Sequence, residues 1–201
     1  MASHELWYDI KKIMVRYKKI EMFCNNGSNW KGKEYKLDNN DILIRLRYAL
    51  DIKDADIVEM FKLGGVDVTK EDVLKMLSKP DEDEDGSEDR LECNYFMLES
   101  FLNGFIIFKR GKQEEKADQP AKPVLSIKNS SNVNNILLKK LKIALALSSE
   151  DMIEIFELAG ITITKGELSA VFRKEGHRNY KECGDRYVRN FLKGLAIKYR
   201  K

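Results

Sequence analysis

The chain has 201 residues, of which 43% are hydrophobic and 34% are charged, and it contains only three prolines. This balance predicts a soluble protein of one or two small helical domains and argues against a loop-rich β fold. No apolar run approaches the roughly 20 residues of a membrane-spanning helix, and lysines interrupt the region where a signal peptide needs an apolar stretch. We therefore expect no membrane association. Three widely spaced cysteines argue against a disulfide framework or a zinc site and favour a cytoplasmic location.

The net charge of +3 hides a strong asymmetry along the chain. Residues 38–112 carry 11 Lys/Arg against 18 Asp/Glu, a net charge of −7, whereas residues 133–201 carry 14 against eight, a net charge of +6. An acidic half is thus followed by a basic half. Such halves are expected to attract each other, a second copy or a charged partner.

Residues 1–37 form an N-terminal extension without a counterpart elsewhere in the chain. Apolar residues at helical spacing predict a basic amphipathic helix over residues 5–22, followed by a loop. A second interpretation is that this segment is translated upstream sequence, with Leu37 encoded by a TTG start codon. The intact mass of the natively expressed protein distinguishes a docked helix from a non-native start.

The remainder of the chain is an internal duplication. Residues 39–79 align without a gap at an offset of 95, and from Glu92 onward the offset is 90. Identical pairs include Asn39/Asn134, Leu46/Leu141, Phe61/Phe156, Gly65/Gly160, Thr69/Thr164, Cys93/Cys183 and Gly104/Gly194. We therefore expect an all-α protein with two homologous four-helix units in tandem. Residues 38–112 form the first repeat, residues 113–132 a proline-containing linker, and residues 133–201 the second repeat.

Local signals place the four helices of each repeat. Asparagine pairs at 39–40 and 134–135 read as N-caps of a first helix that ends near Leu50 or Leu145. The second helix is expected to end at a left-handed glycine, at Gly65 or Gly160. Capping boxes at 69–72 and 164–167 open the third helix. The fourth helix follows Cys93 in the first repeat and Cys183 in the second.

Four stretches give the chain a resemblance to a known family. They are NNDILIRLRYALDI, FLNGFIIFKRGK, NNILLKKLKIALAL and, above all, FRKEGHRNYKECGDRYVRNFLKGL over residues 172–195. On these motifs residues 38–201 resemble the YehS-like family of small bacterial proteins with a tandem domain of unknown function. The resemblance implies a bacterial cytosolic protein with this repeat architecture, and it brings no catalytic residues.

An acidic stretch in the first repeat matches the calcium-loop pattern of alternating oxygen ligands around a glycine turn. The predicted ligands are Asp81, Asp83, Asp85 and Glu92, with Gly86 at the turn. Against this reading, Pro80 interrupts the entry from the preceding helix and the second repeat has no such pattern. A solvated acidic insertion is the alternative.

A second hypothesis is binding of nucleic acid or another anion. Residues 150–160 and 164–174 loosely resemble a helix-turn-helix, although the turn is about two residues too long. Candidate phosphate contacts are Arg45, Arg47, Lys139, Lys140, Lys142, Arg173, Lys174, His177, Arg178 and Arg189. In this interpretation the first helix of each repeat presents a basic outer face. The alternative is an ordinary charged, solvent-exposed helix surface.

Catalysis has little support in the sequence. Cys183 and His177 could form a nucleophile–base pair, with a helix N-terminus lowering the thiol pKa, but Cys93 has no matching histidine. Both cysteines are also explained as small apolar residues packed at the start of the fourth helix. No glycine-rich phosphate loop or HExxH motif occurs, so no cofactor is predicted.

The remaining class is protein interaction, including self-association, because helical repeats commonly present binding surfaces. The sequence therefore predicts a non-enzymatic binding or regulatory module. Its partner is either a protein or a nucleic acid, and the alternatives are calcium binding through residues 81–92 and an enzyme using Cys183 and His177.

Overall fold

The computed structural model describes residues 37–78, 90–112, 126–127, 129 and 131–200. Regular secondary structure in these ranges is entirely α-helical, which confirms the expected fold class. The predicted helix over 5–22, the acidic residues 81–89 and linker residues 113–125 lie outside the described ranges. The helices are α1 (Asn39–Leu50), α2 (Asp54–Leu63), α3 (Lys70–Leu77), α4 (Tyr95–Arg110), α5 (Val133–Ala144), α6 (Ser149–Leu158), α7 (Lys165–Val171) and α8 (Asp185–Tyr199).

Short polar signals set where several helices begin and end. The capping boxes at Thr69 and Thr164 are both present, and a third one, between Ser148 and Asp151, opens α6. Gly65 and Gly160 have φ values of +87° and +81°, as predicted for residues that end the second helix of each repeat. These local contacts explain why helix boundaries could be read from the sequence.

The expected role of the twin asparagines as N-caps is wrong. Asp38 caps α1, its side chain accepting from the Asp41 backbone N–H, and Asn40 and Asn135 lie inside their helices with buried side chains. Each amide instead binds the loop ahead of the fourth helix. The Asn135 oxygen accepts from the Cys183 backbone N–H at 2.9 Å, and the Asn40 oxygen does the same with Cys93 at 2.9 Å.

The four long helices α1, α4, α5 and α8 begin at the same end of the molecule. The asparagine contacts join the start of α1 to that of α4, and the start of α5 to that of α8. The backbone N–H of Leu37, before α1, donates to Asp185 at the start of α8 at 2.8 Å. At the opposite end, the Arg200 guanidinium lies over the Tyr48 ring at 3.9 Å. The starts of the four helices are therefore joined, and α1 and α8, which also meet at their ends, run parallel.

The second helix of each repeat crosses the fourth at a glycine. A Cβ atom on Gly104 would lie 1.6 Å from the Met60 carbonyl oxygen, and one on Gly194 would lie 1.9 Å from the Ile155 carbonyl oxygen. Next to the crossing, Phe61 packs on Phe101 and, in the second repeat, Phe156 packs on Phe191. The duplication thus repeats the packing as well as the sequence.

The two repeats are joined by reciprocal packing of their first and last helices. Helix α1 packs mainly against α8 of the second repeat, and α5 packs mainly against α4 of the first. Contacts between α1 and α4, or between α5 and α8, are much less extensive. The buried apolar side chains of both repeats form one core cluster. Each repeat therefore supplies part of the packing surface of the other.

Candidate functional site

Six of the ten candidate contact residues, five cations and His177, lie on a connected surface of the second repeat, which we call the basic surface. It consists of Lys139, Lys142, Arg173, Lys174, His177 and Arg178. Lys139 and Lys142 are three residues apart on α5 and therefore share a face of that helix. The Lys142 Nζ lies 5.3 Å from the centre of the Phe172 ring, which places the α5 lysines beside the loop that starts at Arg173.

The loop after α7 holds four of these cations in a defined backbone conformation. Gly176 has a φ of +84°, which a residue with a side chain rarely adopts. The His177 backbone N–H donates to the Lys174 carbonyl at 3.0 Å, and the Tyr180 N–H donates to the His177 carbonyl at 2.8 Å. The Lys181 N–H closes the loop on the Ala170 carbonyl at 3.2 Å. Successive turns thus present the basic side chains outward.

The residues of the basic surface are mostly exposed, and none forms an ion pair within the described part of the chain, although Lys142 lies close enough to Glu150 to lower the pKa of that carboxyl. Arg173, Lys174, His177 and Arg178 are exposed, as is Lys139, whereas Lys142 is half-buried and donates to the Ser149 hydroxyl at 3.1 Å. Within the described part of the chain, none of the six makes an ion pair. Other lysines of this repeat do form them: Lys165 with Glu150 at 2.7 Å, Lys181 with Glu167 at 3.3 Å, and Lys198 with Glu154 at 2.8 Å.

Arg173 and His177 form a side-chain pair within the loop. The Arg173 Nη1 atom lies 3.3 Å from Nδ1 and 3.2 Å from Nε2 of the imidazole. The Nδ1 atom also accepts from the Asn179 backbone N–H at 3.1 Å. The contact fixes two planar, nitrogen-rich groups side by side at the surface, where both can face a ligand.

The other four candidate residues are not part of this surface. In the first helices Arg45 and Lys140 do not lie on the predicted basic outer face, because Arg45 is buried and Lys140 faces Glu99. Arg45 is buried and ion-paired with Asp41 at 3.3 Å. Arg47 is exposed on the first repeat but pairs with Asp54 at 2.8 Å. Arg189 is half-buried on α8, one turn after Asp185, on the side that faces α1.

Lys140 points into the contact between the repeats. Its Nζ lies 3.1 Å from a carboxylate oxygen of Glu99, which is buried on α4, and it also bonds the Asn103 amide oxygen. Burial lowers the pKa of Lys140, while the Glu99 carboxylate opposes that change. The same carboxylate accepts the backbone N–H groups of Ser126 and Ile127, at the end of the linker. Glu99 was not anticipated from the sequence, since nothing local marks a buried acid.

The helix-turn-helix resemblance does not extend to the recognition helix. Helix α7 is seven residues long and ends at Val171, so Arg173 and Lys174 follow the helix instead of lying on it. A seven-residue helix whose cations lie beyond its end cannot present them along a groove in the manner of a recognition helix. The cations belong to the loop.

The Cys183–His177 pair does not have the properties of an activated nucleophile. Burial, reinforced by Asp185 and Glu182, raises the pKa of the Cys183 thiol to about 12, the direction opposite to the lowering expected from a helix N-terminus. Cys93 behaves alike, with a pKa raised to about 12 by burial and by Asp38 and Glu92. Both thiols are buried immediately before the fourth helix of their repeat, as the packing interpretation predicted.

Three of the four predicted calcium ligands, Asp81, Asp83 and Asp85, lie outside the described residues. The fourth, Glu92, is exposed. Across the ranges that the structure covers, no group of three or more His, Cys, Asp or Glu side chains converges on a point that could hold a metal ion. The calcium hypothesis thus remains a sequence prediction.

A cavity of about 510 Å³ opens at the starts of α1 and α4 in the first repeat. Its wall includes Asn40 and Cys93, whose polar atoms are already bonded to each other, and the Arg90–Asp38 ion pair at 3.3 Å. Several of its polar groups thus hold the loop against α1, whereas the Arg90 Nε atom is buried without a hydrogen-bond partner among the described residues. Separately, none of the helices among the described residues is long and apolar enough to cross a membrane.

Comparison with known proteins identifies relatives but no activity. The model of a family described as "Protein of unknown function (DUF1456)" matches residues 39–111 and 134–201, one match in each repeat. The Uncharacterized protein YehS of Escherichia coli (strain K12) is 39% identical over 160 residues, which is 80% of this chain and 95% of that protein. No solved structure matches the chain.

Proposed function

We propose a function for this chain, which belongs to the DUF1456 family of proteins of unknown function, from its charge distribution. It is a bacterial, cytoplasmic, non-enzymatic binding module that captures an anionic partner through the basic surface of the second repeat. The observation that carries this proposal is the cluster of mostly exposed basic residues on α5 and on the loop after α7, none of which forms an ion pair in the described part of the chain. Unpaired surface cations attract anions over about the 8–10 Å Debye length of physiological salt.

The asymmetry between the repeats supports a binding role for one of them. The loop between the third and fourth helices is basic in the second repeat, whereas residues 81–92 at the equivalent position carry eight acids and one arginine. Two copies with the same helices and packing thus differ in charge along one equivalent stretch of sequence. Helix packing does not require this difference in charge, whereas recognition of a charged partner depends on the charge of the binding surface.

Two further features support a non-enzymatic, cytoplasmic module. The cysteines with described surroundings are buried with thiol pKa values raised to about 12, which disfavours the thiolate needed for nucleophilic catalysis. They are free of disulfide bonds, in keeping with a reducing compartment.

Retention on immobilised heparin, a generic polyanion, tests the proposal. The triple variant Arg173→Ala, Lys174→Ala, Arg178→Ala removes three charges from the basic surface and should elute at a clearly lower salt concentration than the natural protein. A matched control, Lys53→Ala, Lys62→Ala, Lys70→Ala, removes three charges from exposed positions of the first repeat and should elute like the natural protein. Equal elution of the loop variant and the natural protein would refute the proposed binding surface.

A further inference from the structure

Resting on the proposed function, we infer that the anionic partner is a nucleic acid whose phosphodiester backbone runs across α5 and the loop at 172–181. Two arrangements in the structure carry this inference: the cations are spread in a series, and the loop that presents most of them lacks apolar anchors. Each excludes a different competing ligand class.

The spread of the cations fits a chain of phosphates better than a single small anion. A pocket for one phosphate needs donors that converge on a point. Here Lys139 and Lys142 are separated by about 4.5 Å along the axis of α5, from its rise per residue. The series then continues through Phe172 to Arg173 and on around the loop to Arg178. Donors placed one after another suit a repeating anion.

The loop at 172–181 exposes no large apolar side chain, which disfavours a protein partner. Protein interfaces usually centre on buried aromatic or aliphatic side chains, with charges at the rim. The large exposed apolar side chains in the described residues are Leu74, Leu91, Phe96, Ile143 and Tyr199, and none lies in the loop at 172–181. The two aromatic side chains of the loop, Phe172 and Tyr180, are half-buried, and Ile143 is the one exposed apolar side chain on the described α5. Nucleic-acid interfaces are more polar and far more positively charged, which matches this surface.

The Arg173–His177 pair adds a group suited to nucleotides. Arginine offers a planar set of N–H donors to phosphate and stacks on flat rings. The exposed imidazole can also stack on a base. Their contact places both side chains at the same point of the surface. Contacts to the phosphodiester backbone do not distinguish one base from another, so the protein is expected to bind nucleic acids of many sequences.

The acidic first repeat confines the nucleic acid to the second. Residues 38–112 carry a net charge of −7 and repel phosphates, so the contact is limited to the few cations of the basic surface. With about five phosphates contacted, the logarithm of the affinity for a single strand should fall with the logarithm of salt concentration with a slope of about −3 to −4.

Fluorescence anisotropy with the full chain tests the inference. The probes are a fluorescein-labelled 20-nucleotide RNA of mixed sequence, the single-stranded DNA of the same sequence and its duplex, each titrated at several salt concentrations. The triple variant Arg173→Ala, Lys174→Ala, Arg178→Ala should reduce the magnitude of the slope by about 2. The control Lys53→Ala, Lys62→Ala, Lys70→Ala should leave it unchanged.

A charge-conserving variant separates charge from folding. Arg173→Lys with Arg178→Lys keeps both cations and should preserve the salt slope, whereas circular dichroism should show the same helix content for all variants. Binding of the RNA, the DNA strand or the duplex with the expected slope change supports the inference, and the preferred probe identifies the type of nucleic acid.

Two negative results have different meanings. If none of the three probes binds at low salt while heparin retention still depends on the loop, the nucleic-acid inference is overturned and the proposed binding surface stands. If heparin retention is also independent of the loop, both fall. Binding of a probe with a salt slope that the triple variant does not change places the contact elsewhere and overturns the inference.

Discussion

At the residue scale, Asn135 connects three parts of the second repeat. Its amide nitrogen donates to the carbonyls of Val171 at 2.8 Å and Lys181 at 2.9 Å, and its oxygen accepts from the Cys183 backbone N–H. The side chain is buried, so water cannot replace these bonds. The amide thereby ties α5 to the end of α7 and to the loop that carries the basic residues.

Replacing this amide should cost far more than an ordinary surface substitution. We expect Asn135→Ala to lower the free energy of unfolding by about 2–4 kcal/mol, because two buried backbone groups and one partly buried one lose their partner. The control is Asn190→Ala, whose amide donates only to Arg186 on its own helix and should change stability by less than about 0.5 kcal/mol. Urea denaturation measures both, and similar effects of the two substitutions would contradict this role for Asn135.

Ala146 has a backbone conformation that suits glycine. Its φ is +55°, in the left-handed region, and its side chain is exposed. Ala146→Gly should therefore raise the free energy of unfolding by about 1 kcal/mol, since the Cβ strain disappears and no packing is lost. Ala159→Gly makes the same chemical change at a φ of −86° and should give no gain. Thermal denaturation of the two variants compares them directly, and a gain of equal size for both would exclude strain at Ala146.

The buried thiols should be chemically inert in the folded protein. Because burial raises the pKa of Cys93 and Cys183 to about 12, almost no thiolate exists at pH 7.5. Alkylation by iodoacetamide, followed by peptide mass spectrometry, should be more than about 100-fold slower at both sites than in urea-unfolded protein. Alkylation of native Cys183 at the rate of an exposed cysteine would reopen the catalytic hypothesis.

At the element scale, the α6–α8 crossing depends on the absence of a side chain at Gly194. A Cβ atom there would lie 1.9 Å from the Ile155 carbonyl oxygen, so the helices must separate to admit it. Gly194→Ala should lower the free energy of unfolding by about 1–3 kcal/mol, although alanine is intrinsically the better helix former.

Gly166 on α7 provides the matched control for Gly194. A Cβ atom at Gly166 would meet nothing closer than 3.9 Å, so Gly166→Ala should stabilise the protein by about 0.5 kcal/mol through helix propensity. Opposite signs for the two glycine-to-alanine changes are expected in chemical denaturation. A stabilising Gly194→Ala would show that the close approach of α6 and α8 is not required.

The elements that the sequence predicted are those defined by local contacts. Both predicted capping boxes and both left-handed glycines involve residues a few positions apart, so their chemistry is visible in the chain. The role of Asn40 depends on residues 36 and 51 positions away, and no local pattern distinguishes it from an N-cap. The same limit applies to Lys140, whose partner Glu99 belongs to the other repeat.

The sequence predicted the residues that form the basic surface but not which lysines of α5 belong to it. The cations from Arg173 to Arg178 are close in sequence and stay together, since the loop turns on Gly176. Helical spacing alone suggested one basic face on α5, but its three lysines differ in environment. Lys139 is exposed, Lys140 lies in the inter-repeat contact, and Lys142 packs over Phe172. Lys140 differs from Lys139 and Lys142 because it faces Glu99 on α4.

At the scale of the whole molecule, the duplication is symmetric in packing and asymmetric in charge. Both inter-repeat contacts pair a first helix with the fourth helix of the other copy. In one of them Glu99 binds Lys140 and the end of the linker, whereas the positions equivalent to Glu99 and Lys140 in the other are Arg189 and the buried Arg45. The shared helix packing allows one repeat to carry the basic surface while both maintain one core.

The reciprocal packing predicts that the two repeats unfold together. Because α1 and α5 each pack mainly on the other repeat, loss of one repeat exposes apolar surface of both. Gly194→Ala should therefore increase native-state hydrogen exchange of the slowest amides in α2 and α6 by the same factor, about 30-fold for a loss of about 2 kcal/mol. Gly166→Ala should slow both sets. Faster exchange confined to α6 and α8, with unchanged protection in α2, would show that the repeats open independently.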